Sequence, residues 1–499
     1  MAKSKHPPKD WLYPKIEYYF KKGHGDAEMA QAIQDEIDKE AAFRDKNYTM
    51  SAVGCWRIRG TLGLKGTRQQ KKEPGAYQNV PEIVKKLRPA YPNMGARSMV
   101  VLLRWEHGIR IPEKDLADIL KQLEPNQVAR RYGARFKRSR FYSAGVMEIL
   151  SFDQHDKWKY YGLYLHLGMD PYTGRLHWTK IWWTNRNTAL VTSYYLTAVR
   201  RQNTIPLLTF SDLGRENNGI AKCHSTMRQR LDPSLRGSIQ HKWHSDKMNI
   251  KSEISWGRLR RGWADGFERL LGEGELRGSI DFGRRDPIET FLFRWLFIPY
   301  LQTELDAWTT RQNNSSRRAY KHKILPHGIP DEIHENPGKW GGQSFAISVP
   351  NELVDEMEAF YAPPNHPVFE LTSREFDERV RRLYASIGSP TVEYQSIWDI
   401  FDILLDRLEN ELEDADRQAA ATDFDSLERN FQQDVYLVDV PDVPQPGVDE
   451  DDPFFDDRLF SDDGEDDLDE DEMGYEIELT EDEEDDEVQQ YLTQGHHGT

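Results

Sequence analysis

Cysteine is nearly absent from this chain: 499 residues contain only Cys55 and Cys223, far apart in sequence. Two thiols cannot build a disulfide framework or a paired-cysteine zinc motif, and such sparse usage points to a reducing intracellular compartment. Also missing are a secretory signal and any apolar run of membrane-spanning length, so no membrane partner is expected. Cys223 and His224, taken with His241 and His244, have the residue types of a metal site, but their spacing matches no regular zinc finger. A third shortage is local. From Asp449 to Glu487 about 24 acidic residues face one basic residue, Arg458. Taking that net −23 away from the chain's −18 leaves the remainder at about +5, enough for basic patches that meet phosphate. The acidic tail, residues 441–499, is expected to be disordered, since it offers little apolar surface to offset the entropy of ordering. It suits a contact with a basic protein such as a histone, competition with phosphate for the chain's own basic patches, or simple solubilisation.

What is present is ample core material, with 38% hydrophobic residues and 14 Trp, 22 Tyr and 21 Phe, so a length of 499 is read as two to four domains rather than one. Residues 1–72 read as short helices, Trp11–Phe20, Asp26–Ile33 and Ser51–Arg59, with Ser51 as a cap and a basic, glycine-punctuated end carrying Arg68, Lys71 and Lys72. Three short helices ending in basic residues suit a helix-turn-helix; they suit an ordinary bundle with a solvated basic edge equally well. Residues 73–145 hold a second helical block, with helices at 81–87, 98–105 and 113–123. It ends in a connector carrying Arg130, Arg131, Arg135, Lys137, Arg138 and Arg140 among aromatics. That interleaving fits contact with a nucleic-acid strand, the alternative being a solvated linker.

From residue 146 the pattern turns to strands. The apolar run Met147–Asp153 reads as a buried strand, and 161–168 and 176–183 flank a turn at Asp170–Gly174 as a hairpin. A helix over 188–201, capped by Asn185 or Asn187, precedes a second buried strand ending at Asp212. Helices over 252–271 and 288–312 complete an α/β core spanning 146–320. A carboxy-terminal extension over 321–440 is expected to hold short strands, 343–349 foremost, and helices over 373–386 and 397–420.

Three acidic residues stand out by position. Asp153 and Asp212 lie at the ends of two buried strands, and Glu253 lies on a helix with Asn249, Trp256 and Arg260 on the same face. Two strand-end carboxylates and one on a nearby helix can hold a pair of Mg²⁺ (or Mn²⁺) ions roughly 3.5–4 Å apart for in-line attack on a phosphodiester. His155 and Asn217 are near enough in sequence to hold these carboxylates in position, and Asn249, Lys251 and Arg260 to meet phosphate from the helix.

The motifs Phe152–Trp158, Leu167–Gly174, Trp182–Asn187, Ser211–Asn217, Lys247–Trp256 and Arg294–Pro299 together resemble the retroviral-type integrases of the DDE transposase/integrase superfamily. More narrowly, the chain is similar to integrase-core proteins encoded in fungal genomes by transposon-derived genes. The resemblance covers roughly residues 10–390, with Leu62–Arg68 and Arg97–Arg110 matching a helix-turn-helix region. It implies an RNase H-like core with Asp153, Asp212 and Glu253 as catalytic metal ligands, 59 and 41 positions apart, the second interval longer than in the retroviral enzymes. It also implies two divalent ions, DNA as partner, a homo-oligomer and a nuclear location. The chain departs from the family at Leu213-Gly214-Arg215 and lacks its amino-terminal His/Cys zinc module. The expected activity is DNA end processing and strand transfer. The alternative is a domesticated nuclear DNA-binding or scaffold protein that keeps an inactive core for folding.

Overall fold

A computed structural model describes residues 6–43, 46–125, 142–212, 214–244, 250–316 and 325–430. The Arg130–Arg140 connector, Asn249 and the acidic tail therefore lie outside the described residues. The described chain divides into two compact units, one of residues 6–86 and 93–125, the other of residues 87–92 and 142–430.

The smaller unit is helical: α1 (Lys9–Lys22), α2 (Asp26–Lys39), α3 (Ala52–Thr61), α4 (Thr67–Lys71), α5 (Val80–Leu87), α6 (Ala96–Glu106) and α7 (Glu113–Leu123). Its amino-terminal core is Leu12, Ile16 and Phe20 of α1 against Met29, Ile33 and Ile37 of α2 and Cys55 of α3. Ser51 caps α3 as expected, its Oγ accepting from the Gly54 N–H at 3.1 Å. The buried guanidinium of Arg59 ties α3 to the start of α2 through Asp26, at 2.8 and 3.0 Å.

The larger unit is α/β, built on a mixed five-stranded sheet in the order β3-β2-β1-β5-β6. The strands are β1 (Ile149–His155), β2 (Tyr164–Asp170), β3 (Arg175–Trp182), β5 (Leu208–Asp212) and β6 (His241–His244). The first three are antiparallel neighbours, whereas β1–β5 and β5–β6 are parallel. The β2–β3 turn is closed by the Gly174 N–H donating to the Asp170 carbonyl at 2.7 Å, and Gly174 takes φ +72°, where a side chain would be strained. A short β4 (Thr204–Ile205) pairs with β7 (Ile347–Ser348), the one part of the expected 343–349 strand that forms a ladder.

One face of the sheet is covered by α8 (Thr188–Gln202), capped by Asn187, and α9 (Asn218–Leu231). Here Phe152, Gly168 and Trp178 form one row across three strands. Gly168 has no side chain because the Trp178 ring lies over it; a Cβ there would meet that ring at 2.2 Å. His166, Trp178 and His241 ring Phe152 at centroid distances of 6.1, 6.5 and 5.7 Å.

The other face carries α10 (Ile250–Leu259), which runs through a five-residue π-helical turn, Arg260–Ala264, into α11 (Asp265–Arg277). The π turn places Trp263 on Trp158, with centroids 5.3 Å apart, and Trp263 then stacks on Phe267 of α11 at 4.5 Å. The long α12 (Pro287–Asn313) lies against β3, Thr179 meeting Thr309 and Gln302 bonding the backbone of Thr179 and Ile181. The remaining helices are α13 (Pro330–Glu335), α14 (Asn351–Tyr361), α15 (Arg374–Ser386), α16 (Ile397–Glu411) and α17 (Asp414–Asn430), so the helix expected over 397–420 is broken at 412–413. Trp398 of α16 packs on Phe297 of α12 at 4.4 Å and donates to the Leu270 carbonyl at 2.7 Å, within the same unit as the core. Among the described residues no helix is long and apolar enough to cross a membrane.

Candidate active site

Ser151 of β1 is level with Phe210 of β5, and this is the last pair of their parallel ladder. Side chains alternate along a strand, so Asp153 and Asp212, each two residues further on, both stand on the face that carries Ser151. They flank the mouth of the fork where the two parallel strands end, the place where open α/β sheets bind ligands. Helix α10 crosses that face. Its Ser252 Oγ meets Ser151 Oγ at 3.1 Å, and its Trp256 indole N–H donates to Asp153 Oδ2 at 3.0 Å. Glu253 is the residue after that serine and is exposed. Asp153 is half-buried and Asp212 exposed.

The electrostatics bind these three residues into one site. The Asp153 carboxyl is pushed up from 3.8 to about 7, first by desolvation and next by the negative charge of Asp212. The Gln154 N–H and the Trp256 indole oppose the shift, and Glu253 adds to it. A carboxyl whose pKa is raised by burial and by a neighbouring carboxylate is a group whose ionised form a cation would stabilise. The donors are all hard carboxylate oxygens, the chemistry that suits Mg²⁺ or Mn²⁺. As placed, the site is open rather than caged: among the described residues no three His, Cys, Asp or Glu side chains are drawn together tightly enough to enclose an ion.

His155 stands on the same face as Asp153 but does not touch the carboxylates. Its ring stacks on Trp256 at 4.8 Å with an 18° interplanar angle. Burial and the charge of Lys157 lower its pKa to about 4, Asp156 opposing and Arg260 adding to the shift, so at neutral pH it is an uncharged plate. It thus braces the indole that bonds Asp153. Trp256 is the functional residue that sequence reasoning placed on the right helix face without giving it a role. Its spacing of three from Glu253 was the available signal.

Asn217 lies elsewhere. It is buried at the start of α9, and its N–H donates to the Gly214 carbonyl at 3.1 Å, closing the turn that leaves Asp212. Neighbouring Glu216 accepts from Gln154, whose side chain faces away from Asp153. Asn217 therefore supports the turn and not the carboxylates directly. Cys223, His224 and His241 serve packing. His224 bonds the Tyr195 hydroxyl at 2.8 Å, His241 bridges Thr209 and Ser211 at 2.9 and 3.1 Å, and Cys223 is buried, its thiol pKa pushed up by desolvation.

Of the basic candidates, Arg260 is exposed at the start of the π turn and close enough to act on His155, and Lys251 is half-buried on α10. Arg68, Lys71 and Lys72 are exposed in the smaller unit, Lys71 paired with Asp115 at 2.6 Å. Arg130, Arg131, Arg135, Lys137, Arg138, Arg140 and Asn249 fall outside the described residues. Compared with protein-family models and with curated proteins, the chain matches none.

Proposed function

We propose that the larger unit is an RNase H-like integrase core and that the chain is a polynucleotidyl transferase of the DDE type, acting on DNA ends. The observation that carries this reading is the fork of β1 and β5, where Asp153 and Asp212 share a face and the Asp153 pKa is raised by burial and by the charge of Asp212. The sheet supports it too, with a three-stranded antiparallel meander followed by two parallel strands and helices on both faces.

Asp153, Asp212 and Glu253 would hold the divalent ions. Two Mg²⁺ or Mn²⁺ ions, when bound, activate the attacking oxygen and neutralise charge developing on the phosphate. The protein's own part is positional. The Trp256 indole and Gln154 N–H each occupy one side of an Asp153 oxygen and fix the carboxyl's direction, while the His155 plate holds the indole. Arg260 and Lys251 on the same helix supply positive charge for the phosphates flanking the reacting one.

In the smaller unit, α1–α3 are read as a helix-turn-helix module, supported by the exposed Val53, Trp56 and Arg57 on α3 and the exposed Arg68 and Lys72 that follow. DNA, a second copy of the chain and a basic protein at the acidic tail are the proposed partners, and the nucleus the proposed location.

A second reading, a nuclear DNA-binding or scaffold protein with an inactive core, is favoured by one observation: the carboxylates do not close on a common point. A nicking and strand-transfer assay with Mg²⁺ and Mn²⁺ separates the two. Activity lost in Asp153→Asn, Asp212→Asn and Glu253→Gln supports the enzyme; no metal-dependent cleavage by the unaltered chain leaves the scaffold.

A further inference from the structure

Away from the carboxylates, the larger unit encloses a cavity of about 190 Å³ beside the end of the β2–β3 hairpin, where Tyr164 and Trp183 lie. Four cations line it, Lys159, Arg186, Arg285 and Arg294, against a single acid, Glu428. Arg294 is the floor: it is 5% exposed, pairs with Glu428 and lies over the Trp183 and Phe424 rings at 4.5 and 5.2 Å. Its Nη1 has no hydrogen-bond partner among the described residues. The other three cations are exposed and make no ion pair among the described residues; Glu216 feels the charge of Arg186 without pairing with it.

The loop that presents Arg285 is tightly held. Asp281 Oδ1 accepts from the Gly283 and Arg284 N–H groups at 2.9 and 3.1 Å, Arg285 takes the left-handed φ of +51°, and Asp286 caps α12. The backbone that carries Arg285 is thereby held beside the cavity, with its exposed side chain in the lining. Aromatic rings, among them Tyr161, Trp183, Phe282 and Phe424, supply the rest of the wall.

We infer that this cavity binds a small phosphate monoester bearing an aromatic or similarly apolar group. A doubly charged phosphate matches three uncompensated cations better than a carboxylate does, and guanidinium forks fit its oxygens. The space exceeds what a bare phosphate fills, and the rings of Phe282, Phe293 and Phe424 line it alongside the exposed cations with apolar surface for a phosphate's substituent. The source is a free metabolite or the 5′-phosphate terminus of a nucleic-acid strand. The inference does not rest on the polynucleotidyl-transferase reading.

The test is calorimetric titration of the full chain in EDTA at low salt. Phenyl phosphate binds saturably at one site, roughly ten-fold tighter than inorganic phosphate, and phenol does not bind. Arg186→Glu and Arg285→Glu, both at exposed positions, each weaken phenyl phosphate at least roughly ten-fold. Asp153→Asn binds as the unaltered chain does, which separates this cavity from the carboxylate site. Absence of saturable phenyl phosphate binding, affinity in the two charge-reversed variants unchanged from the unaltered chain, or loss of binding in Asp153→Asn overturns the inference. Competition by a 5′-phosphorylated trinucleotide, but not by its unphosphorylated form, identifies a strand terminus; competition by neither identifies a free monoester; competition by both overturns monoester recognition.

Discussion

The two faces of strand β1 are built on opposite plans. Phe152 and Gln154 point into a face where every large group has found a neighbour: rings stack about Phe152, Trp178 lies across Gly168, and Gln154 bonds Glu216. Ser151, Asp153 and His155, the residues between them, point to a face that concentrates like charge and strains the protonation of a carboxyl. A period of two residues thus separates a structural surface from a chemical one within one strand. Stability resides on the first, and the second is maintained at some cost to it.

The largest expected effect breaks the structural face. Phe152→Ala empties the centre of the ring cluster and should destabilise by about 3–5 kcal/mol, read by denaturant unfolding. Asp153→Asn, one residue along, should behave in the reverse sense. The folded pKa of Asp153 is raised from 3.8 to about 7, so the stabilisation its proton provides is complete below pH 3.8 and is lost as pH rises through about 7. The Asn variant escapes that loss, so its Tm should exceed the unaltered chain's by a margin that widens across this window, while metal-dependent cleavage disappears. Mg²⁺ should raise the Tm of the unaltered chain above pH 7 and leave the variant unmoved. Equal pH dependence in the two proteins would remove Asp153 from the coupled site.

Much of this contrast was legible in the sequence because it is local. An apolar run ending in an acid marked both β1 and β5, and the turn residues between Asp170 and Gly174 marked the hairpin. Asn187 and Ser51 declared their helices through capping chemistry. What could not be read was set by partners distant in sequence. β6 is four residues, His241–His244, without an apolar pattern, and it is a strand only because β5 pairs with it. Helix α9 buries Ile220, Cys223, His224 and Met227, a stripe that includes two residue types found in metal sites. Helix α14 was hidden in a Pro- and Gly-rich stretch. The bond from Trp256 to Asp153 spans 103 positions, and no local rule contains it.

Smaller effects sharpen the comparison at its boundary. His155→Ala removes the plate beneath Trp256 and should cost about 0.5–1.5 kcal/mol from the lost stack. Because the His155 pKa is lowered from 6.5 to about 4, the unaltered chain should lose stability as pH falls through that window, and the variant should not show this component. Trp256→Phe keeps the ring but not the N–H that lowers the Asp153 pKa, so the Asp153 titration followed by NMR should move upward. The least expected change is Ser151→Ala, which breaks the 3.1 Å contact with Ser252 and should cost about 1 kcal/mol.

The π turn at Arg260–Ala264 has a bearing on how this site could be altered. An α-helix advances about 100° per residue, so one additional residue accommodated in a wide turn resets the rotational phase between the segments before and after it. Trp263 and Phe267 lock the later segment into the core, leaving the earlier one, with Glu253 and Trp256, indexed independently. Deletion of Gly262, which precedes the Trp263 anchor, would convert the turn to ordinary helix and swing α10 by about a quarter turn, carrying Trp256 off Asp153 while Trp263 and Phe267 stay seated. The width of that turn acts as a dial: it sets which side chains face the carboxylates without changing any residue that touches them.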